Sequence, residues 1–353
     1  MTHLYLIRHA EAEGNLYRIA QGQDDSLLTD RGWRQVRALE RRFADIPIDA
    51  VYSSDLYRTC ATASALYLPK GLPLRRRKAL REIHVGVWER RTWGDILRSG
   101  PAQMENFGSH PESWQVEGAE SPRQVLDRAL EELRQIVREN PGRTAAAVTH
   151  GYVIRLVLAA LEGVPLEETG RTPFGDNTAV SLLEGEAEDL RVVFRDDASH
   201  LKTPEYLAEE PVRERASNIQ PGLFFRELRM PEEGAVLERL SGGRPPETAG
   251  ETLLAGFLDE EPVGAVGLGV MEGRAGWITM ALVREDCRRQ GFGVQLIGQA
   301  VYYWRPRGAQ ALRIALPEGA GESFWREYGF VPAGGNVWEK SIRFDPQFLG
   351  ERA

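Results

Sequence analysis

An arginine–histidine pair, Arg8-His9, closes the short apolar run Leu4-Tyr5-Leu6-Ile7, and Ala10-Glu11 follow it. Such a run reads as a buried strand that delivers both side chains to the end of a sheet, where open α/β sheets hold their ligands. An imidazole placed there can attack phosphorus, and a neighbouring guanidinium can grip phosphate oxygens as a bidentate fork. Three further residues fit the same chemistry. Arg58 offers a second fork, one turn into a helix expected to begin at Ser54-Asp55. His150 follows the strand-like run Thr144 to Val148 and can donate when protonated. Glu82, in Leu80-Arg81-Glu82-Ile83, can protonate a leaving alkoxide once burial or a nearby phosphate raises its pKa, and then act as base toward water. A phosphoryl group in flight spreads charge over its oxygens, so positioned donors supply most of the catalysis. His3, His84, His110 and His200 are read as packing or surface residues.

These side chains need elements to hold them. Thr29-Asp30 offers an N-cap, with Trp33, Val36, Leu39 and Phe43 at helical spacing behind it. Ala50-Val51-Tyr52 is strand-like. Ser121-Pro122 opens a helix whose apolar face is Leu126, Ala129, Leu130, Leu133, Ile136 and Val137, and Asn140-Pro141-Gly142 stops it. A helix from Tyr152 to Leu161 and a strand pair near Thr178–Leu183 and Leu190–Phe194 complete the half. Repeated βα units ending in such a pair predict an α/β fold on a mixed sheet. A polar, proline-bearing stretch follows, and a linker is drawn at 206–220 between domains 1–205 and 221–353.

The second half has its own pattern. Strand-like runs at Leu223–Leu228, Thr252–Leu258, Val263–Val270 and Trp277–Val283 surround a helix at Pro231–Leu240. The turn Arg288-Arg289-Gln290-Gly291-Phe292-Gly293 then opens a helix from Phe292 to Trp304, with Leu296, Ile297, Ala300, Val301 and Trp304 on one face. Glycines at a helix start let backbone N–H groups face a pyrophosphate, aided by the helix dipole and the two arginines.

The chain has 353 residues, enough for two cores, and a net charge of -8, which argues against a nucleic-acid or membrane surface as partner. Cys60 and Cys287 form no disulfide framework or zinc spacing, and no metal is expected. No apolar run approaches a membrane span and no signal peptide is read, so the cytoplasm is the expected compartment.

Taken together, Leu6-Ile7-Arg8-His9-Ala10-Glu11, Ser53-Ser54-Asp55-Leu56-Tyr57-Arg58-Thr59, Leu80-Arg81-Glu82-Ile83 and Thr149-His150-Gly151 resemble, in order, the motifs of the histidine phosphatase (phosphoglycerate-mutase-like) superfamily. The resemblance implies a three-layer α/β/α domain with His9 as nucleophile, Arg8, Arg58 and His150 as phosphate pocket, and Glu82 as proton donor. It also implies Asn15, Gln21 and Gly22 near a small phosphorylated metabolite, and no cofactor for this half. Loops such as Tyr17-Arg18 and Trp93 to Trp114 are expected to wall the pocket. Glu89-Arg90 stands where many relatives have Glu-Gly, a change expected on the substrate side of the cleft. The short segment after Glu82 favours water as acceptor over the mutase branch.

Val283 to Gly293, with Phe324-Trp325-Arg326-Glu327-Tyr328-Gly329-Phe330, resembles the GNAT acetyltransferases, an α+β acyl-CoA N-acyltransferase fold. That resemblance implies acetyl-CoA on Ala281 and Val283, its pyrophosphate on Arg288, Arg289, Gln290, Gly291, Gly293 and Val294, and an amine acceptor. Two departures stand out. Trp325 occupies the place of a tyrosine that protonates the leaving thiolate, and Glu318 falls where an Asn is common. Glu318 and Glu322 are candidate bases by location. Three readings follow: a two-headed phosphatase and N-acetyltransferase, a phosphatase carrying a non-catalytic acetyl-CoA module, or a mutase.

Overall fold

The computed structural model describes residues 1–209, 222–243, 252–317 and 321–349. Glu318 lies outside them, as do residues 210–220 of the expected linker.

The first half runs β1 (Thr2–Arg8), α1 (Glu13–Tyr17), α2 (Asp30–Phe43), β2 (Ala50–Ser53), α3 (Tyr57–Tyr67), β3 (Leu74–Arg76), α4 (Trp93–Ser99), α5 (Pro101–Ser109), α6 (Pro122–Glu139), β4 (Thr144–Thr149), α7 (Gly151–Leu161), β5 (Val180–Glu186), β6 (Asp189–Asp197) and α8 (Pro204–Glu209). The strand order is β3-β2-β4-β1-β5-β6. β1, β2, β3 and β4 are parallel, while β5 and β6 are antiparallel, as the final strand pair implied. β4 is Thr-Ala-Ala-Ala-Val-Thr, and its small side chains let helices pack closely on both faces. One apolar cluster fills each side: Leu4, Leu6, Val125, Leu133 and Leu156 on one, Ile7, Val36, Leu39, Val51 and Leu66 on the other.

Register places the site. Arg8 pairs with Thr149 and Ser53 with Val148, so β1, β2 and β4 end level and His9, Ser54 and His150 emerge together. α6 opens at the expected Ser121-Pro122, and it does so on a capping box, with Ser121 Oγ accepting from Gln124 N.

Among the boundaries that differ from the sequence reading, two bear on the site and on the domain junction. α3 begins at Tyr57 rather than Ser54-Asp55. Asp55 is drawn away to a bidentate pair with Arg81 at 2.6 Å, and Asp25 Oδ1 takes the Tyr57 N–H at 2.8 Å instead. The linker also starts later, because residues 206–209 lie in α8, where buried Tyr206 anchors the helix.

The second half runs β7 (Phe224–Glu227), α9 (Gly234–Ser241), β8 (Thr252–Leu258), β9 (Glu261–Glu272), β10 (Ala275–Val283), α10 (Phe292–Trp304), β11 (Ala311–Ala315), α11 (Glu322–Glu327), β12 (Val331–Gly334) and β13 (Val337–Ser341). The sheet order is β12-β13-β11-β10-β9-β8-β7. β10 and β11 pair in parallel only from Ala275–Ala311 to Ile278–Ile314. β10 continues to Val283 without that partner, so the two strands part beside the start of α10.

The halves share a core. Tyr17 and Ile19 pack with Val266, Ile297 and Val301 of the second half. A Cβ on Gly298 of α10 would stand 2.5 Å from Tyr17 Cβ, so only glycine admits the tyrosine there. Tyr17, expected in a pocket wall, therefore fastens the domains together. Backbone ties reinforce the seam: Thr92 Oγ1 donates to Leu223 O at 2.7 Å, and Asp95 Oδ1 accepts from Phe225 N at 3.2 Å. Phe348, near the far end of the chain, returns to the first half and packs against Tyr57 and Trp33.

Candidate active sites

His9 and His150 face each other with ring centroids 5.3 Å apart, and both are buried. His9 Nδ1 donates to the carbonyl of Ala10 at 2.7 Å, which fixes the tautomer and leaves the Nε2 lone pair for attack. Burial, Arg58 and Arg8 together hold the His9 pKa well below its usual value, so the ring is neutral. The same causes act on His150.

Arg58 is buried on α3 and donates to the carbonyls of Asp24 at 3.0 Å and Gly22 at 2.7 Å. Arg8 Nη1 donates to Gly175 O at 2.5 Å. A Cβ on Gly151 would come within 3.0 Å of Arg8 Nε, so the glycine of Thr149-His150-Gly151 makes room for that guanidinium. Arg8 Nε, Arg58 Nε and both nitrogens of His150 are buried without a hydrogen-bond partner among the described residues. Orphaned buried donors are costly, and here four polar atoms of three adjacent cationic or basic side chains share that condition. A tetrahedral oxyanion is the ligand class that satisfies them.

Glu82 accepts from Ile83 N at 3.0 Å and Tyr152 N at 3.3 Å, and burial raises its pKa against those bonds and Arg58. Its backbone is held from behind. Arg128, paired with Glu120 at 2.6 Å, donates to the carbonyls of Ala79, Arg81 and Glu82. Tyr152 also stacks on Phe107 at 4.8 Å, and Phe107 meets Trp114 at 5.1 Å. The Trp93 to Trp114 segment thus packs on the residue whose N–H the Glu82 carboxylate accepts.

The remaining residues implied near the substrate take local roles. Asn15 Oδ1 accepts from Ala12 N at 3.0 Å, and Gln21 Nε2 donates to Ser26 Oγ at 2.7 Å. Gly22, with φ +45°, packs so tightly on the Glu89 carboxylate that a Cβ would collide with it. Glu89 in turn accepts from the N–H groups of Gln23, Asp24 and Val85. Arg90 reaches across to the second half. Its guanidinium lies 5.6 Å over the Tyr302 ring of α10 and 4.0 Å from Asp24, so the residue that departs from glycine takes part in the domain junction.

In the second half, Arg289 (φ +61°) and Gly291 (φ +79°) turn the chain into α10 and present successive N–H groups at its start. Phe324 lies on Gly293, where a Cβ would come within 2.9 Å of its ring. Arg288, Arg289, Gln290, Gly291, Gly293, Val294 and Val283 border a cavity of about 550 Å³. Ala281 stands further along β10, beyond the end of its pairing with β11. Trp325 is buried among Phe324, Phe330 and Ile314 as core, while Tyr328 borders the cavity.

Residues 4–198 match the family model of the histidine phosphatase superfamily (branch 1). The chain belongs to that superfamily. Residues 223–330 match the GNAT acetyltransferase family, so one chain carries both domains. Among curated relatives, phosphoserine phosphatase 1 of Hydrogenobacter thermophilus is 29% identical over 53% of this chain and 88% of its own length. A probable phosphoglycerate mutase GpmB of Salmonella typhi is 28% identical over 58% and 97%. Among solved structures, Bacillus stearothermophilus YhfR is 32% identical with a TM-score of 0.55, covering 57% of this chain and 100% of its own. A mycobacterial glucosyl-3-phosphoglycerate phosphatase is 26% identical with a TM-score of 0.52, covering 56% and 99%.

This histidine phosphatase domain also uses residues that its sequence did not single out. Asn177 Nδ2 donates to His9 O at 3.0 Å, and Thr178 Oγ1 meets His200 Nε2 at 2.9 Å, so the loop before β5 braces the backbone of His9. Asn177-Thr178 reads as an ordinary turn into a strand, and no motif marks it. Glu13 was equally silent, because its partner Arg305 lies in the other domain. Among the described residues, no group of His, Cys, Asp and Glu is arranged to hold a metal ion, and no helix is long and apolar enough to cross a membrane.

Proposed function

We propose that the N-terminal half hydrolyses small phosphomonoesters through a phosphohistidine at His9, without metal. The observation that carries this is the neutral, tautomer-fixed His9 facing orphaned donors of Arg8, Arg58 and His150. His9 Nε2 attacks phosphorus, the ester P–O bond breaks, and Glu82 gives its proton to the leaving oxygen. Arg8, Arg58 and His150 hold the phosphoryl oxygens, His150 gaining a proton beside the incoming charge. Water then attacks phosphorus, ionised Glu82 takes its proton, and the N–P bond breaks to return neutral His9. Asn15, Gln21 and Gly22 shape the approach to phosphate, and relatives named as phosphatases favour water over a second substrate hydroxyl as acceptor.

The experiment is rapid mixing with a ³²P-labelled monoester. One labelled, acid-labile phosphoenzyme per chain is expected, and none in His9→Ala. Hydrolysis by that variant at the parent rate defeats the mechanism.

For the C-terminal half the reading is acetyl-CoA binding, with an amine as acceptor. The backbone of Arg288 to Val294 would hold the pyrophosphate, and Ala281 and Val283 the acyl arm. Acetyl-CoA supplies the activated acyl group. The turn at Arg289 and Gly291 and the cavity beside it fit such a ligand. Buried Trp325 favours a second reading, a binding module without transfer, since indole has no hydroxyl for the leaving thiolate. Calorimetry with acetyl-CoA, followed by an amine panel, separates the two.

A further inference from the structure

A row of aromatic rings runs from the interior of the phosphatase domain to its surface. Trp114 meets Phe107 at 5.1 Å, Phe107 stacks on Tyr152 at 4.8 Å, and Tyr152 stands 6.5 Å from Phe174. Trp114 and Tyr152 are buried, whereas Phe174 is 48% exposed. A lone exposed ring is ordinary on a protein surface, but this one has a fixed support. The Arg155 guanidinium lies 4.3 Å over the ring, and it donates to the carbonyls of Gly108, Gly170 and Thr172.

The open ring belongs to the loop that holds the phosphate site. Phe174 precedes Gly175, whose carbonyl accepts from Arg8 Nη1 at 2.5 Å, and Asn177 of the same loop donates to His9 O at 3.0 Å. Its ring neighbour Tyr152 gives its N–H to Glu82 Oε2 at 3.3 Å. Phe174 is thus one residue from a partner of the phosphate-gripping guanidinium, and one ring from the residue that donates to the acid. In the phosphohistidine reading the leaving oxygen takes its proton from Glu82, so the rest of the alcohol continues from there. Tyr152 is buried, and the row reaches solvent at Phe174.

The charges around the row do not suit a second anionic group on that alcohol. Arg155 is engaged by three carbonyls, Arg128 by Glu120 and three further carbonyls, and Arg81 by Asp55. Asp176, two residues after Phe174, adds an exposed carboxylate.

We propose that Phe174 is a specificity-determining ledge of the phosphatase site, which therefore prefers esters with an aryl or other flat apolar group on the leaving alcohol over esters with a carboxylate there. The proposal rests on the phosphohistidine reading of the N-terminal half and names its substrate class.

Benzyl phosphate, glycerol 3-phosphate and 3-phosphoglycerate test it on the full chain, because all three leave as alkoxides and differ in what the alcohol carries. In the parent, kcat/KM for benzyl phosphate should exceed the other two by about tenfold or more. Phe174→Ala should raise KM for benzyl phosphate on the order of tenfold, the effect of one lost ring contact, with kcat kept and glycerol 3-phosphate turned over as before. Phe174→Trp should retain the preference. No preference in the parent overturns the ledge. So do equal losses on all three esters in Phe174→Ala, which make the ring a brace for the loop that holds Arg8 and His9. Turnover of none of the three by the parent, with no labelled phosphoenzyme from any, overturns the phosphohistidine reading itself.

Discussion

Arg305 and Glu13 come from opposite halves of the chain and form a bidentate pair, with both N–O distances 2.8 Å. The side chains are only 15% and 4% exposed, and the carboxylate also accepts from Leu27 N. Burial opposes the charge on Arg305, and Glu13 outweighs it, so the guanidinium pKa stands above its usual value. Removing one partner of such a pair leaves a buried charge alone, at a cost of about 3–5 kcal/mol. Arg305→Ala should therefore lower the unfolding temperature sharply, and Glu13→Gln in the same chain should recover part of it. A melt of Arg305→Ala that coincides with the parent contradicts the pair's importance.

Glu82 serves leaving groups unequally. An alkoxide needs its proton, while p-nitrophenolate departs without one. Glu82→Gln should lose about 10²–10⁴-fold in turnover of alkyl phosphates. With p-nitrophenyl phosphate it should still release one equivalent of nitrophenol in a burst, then stall at hydrolysis of the phosphoenzyme. Equal losses on both substrates, without a burst, assign the proton to another group.

Arg90 holds φ +66°, the left-handed region that disfavours a side chain. Its contact with Tyr302 offsets that strain. Arg90→Ala keeps the strain and loses the contact, whereas Arg90→Gly loses both. The glycine variant should be the more stable of the two by about 1 kcal/mol in denaturant titrations. The opposite order means that the backbone relaxes away from this conformation.

Three buried histidines set the acid limit of the fold. His9 and His150 have pKa values held well below normal by burial, and His200 is pushed down to about 4 by burial and Arg42. The unfolded chain protonates all three near pH 6.5. Below that pH it binds more protons than the native state, so stability falls with falling pH. For His200 the loss spans pH 6.5 down to about 4. Glu82 acts in the opposite sense, because its raised pKa lets the folded state take a proton first. Melts from pH 7.5 to pH 5 should decline, less so in His200→Gln, while a flat profile contradicts the neutral histidines.

Much of the fold was legible because its signals are local. The apolar run into Arg8-His9, the Ser121-Pro122 start of α6 and the helix from Phe292 each depend on neighbours in sequence. The motifs gave His9, Arg8, Arg58, Glu82 and His150, and register brought His9 and His150 level. What stayed hidden depends on distant partners. The start of α3 was set by Asp25, in a loop before α2. Arg90 looked like a pocket variation until Tyr302 stood beneath it. Tyr17 looked like a loop residue because its packing partner is Gly298.

Short helix α1 belongs to the first half by sequence but buries its apolar residues in the interior of the second, and that changes what fusion means here. Cutting the chain between residues 209 and 222 would strip Tyr17 and Ile19 of their cover and strand Glu13 without its counter-ion. Neither fragment would be a finished surface. The arrangement is closer to a graft than a tether: a substitution selected for the benefit of one half is at once a trial of the other, and the two are inherited as one mechanical object.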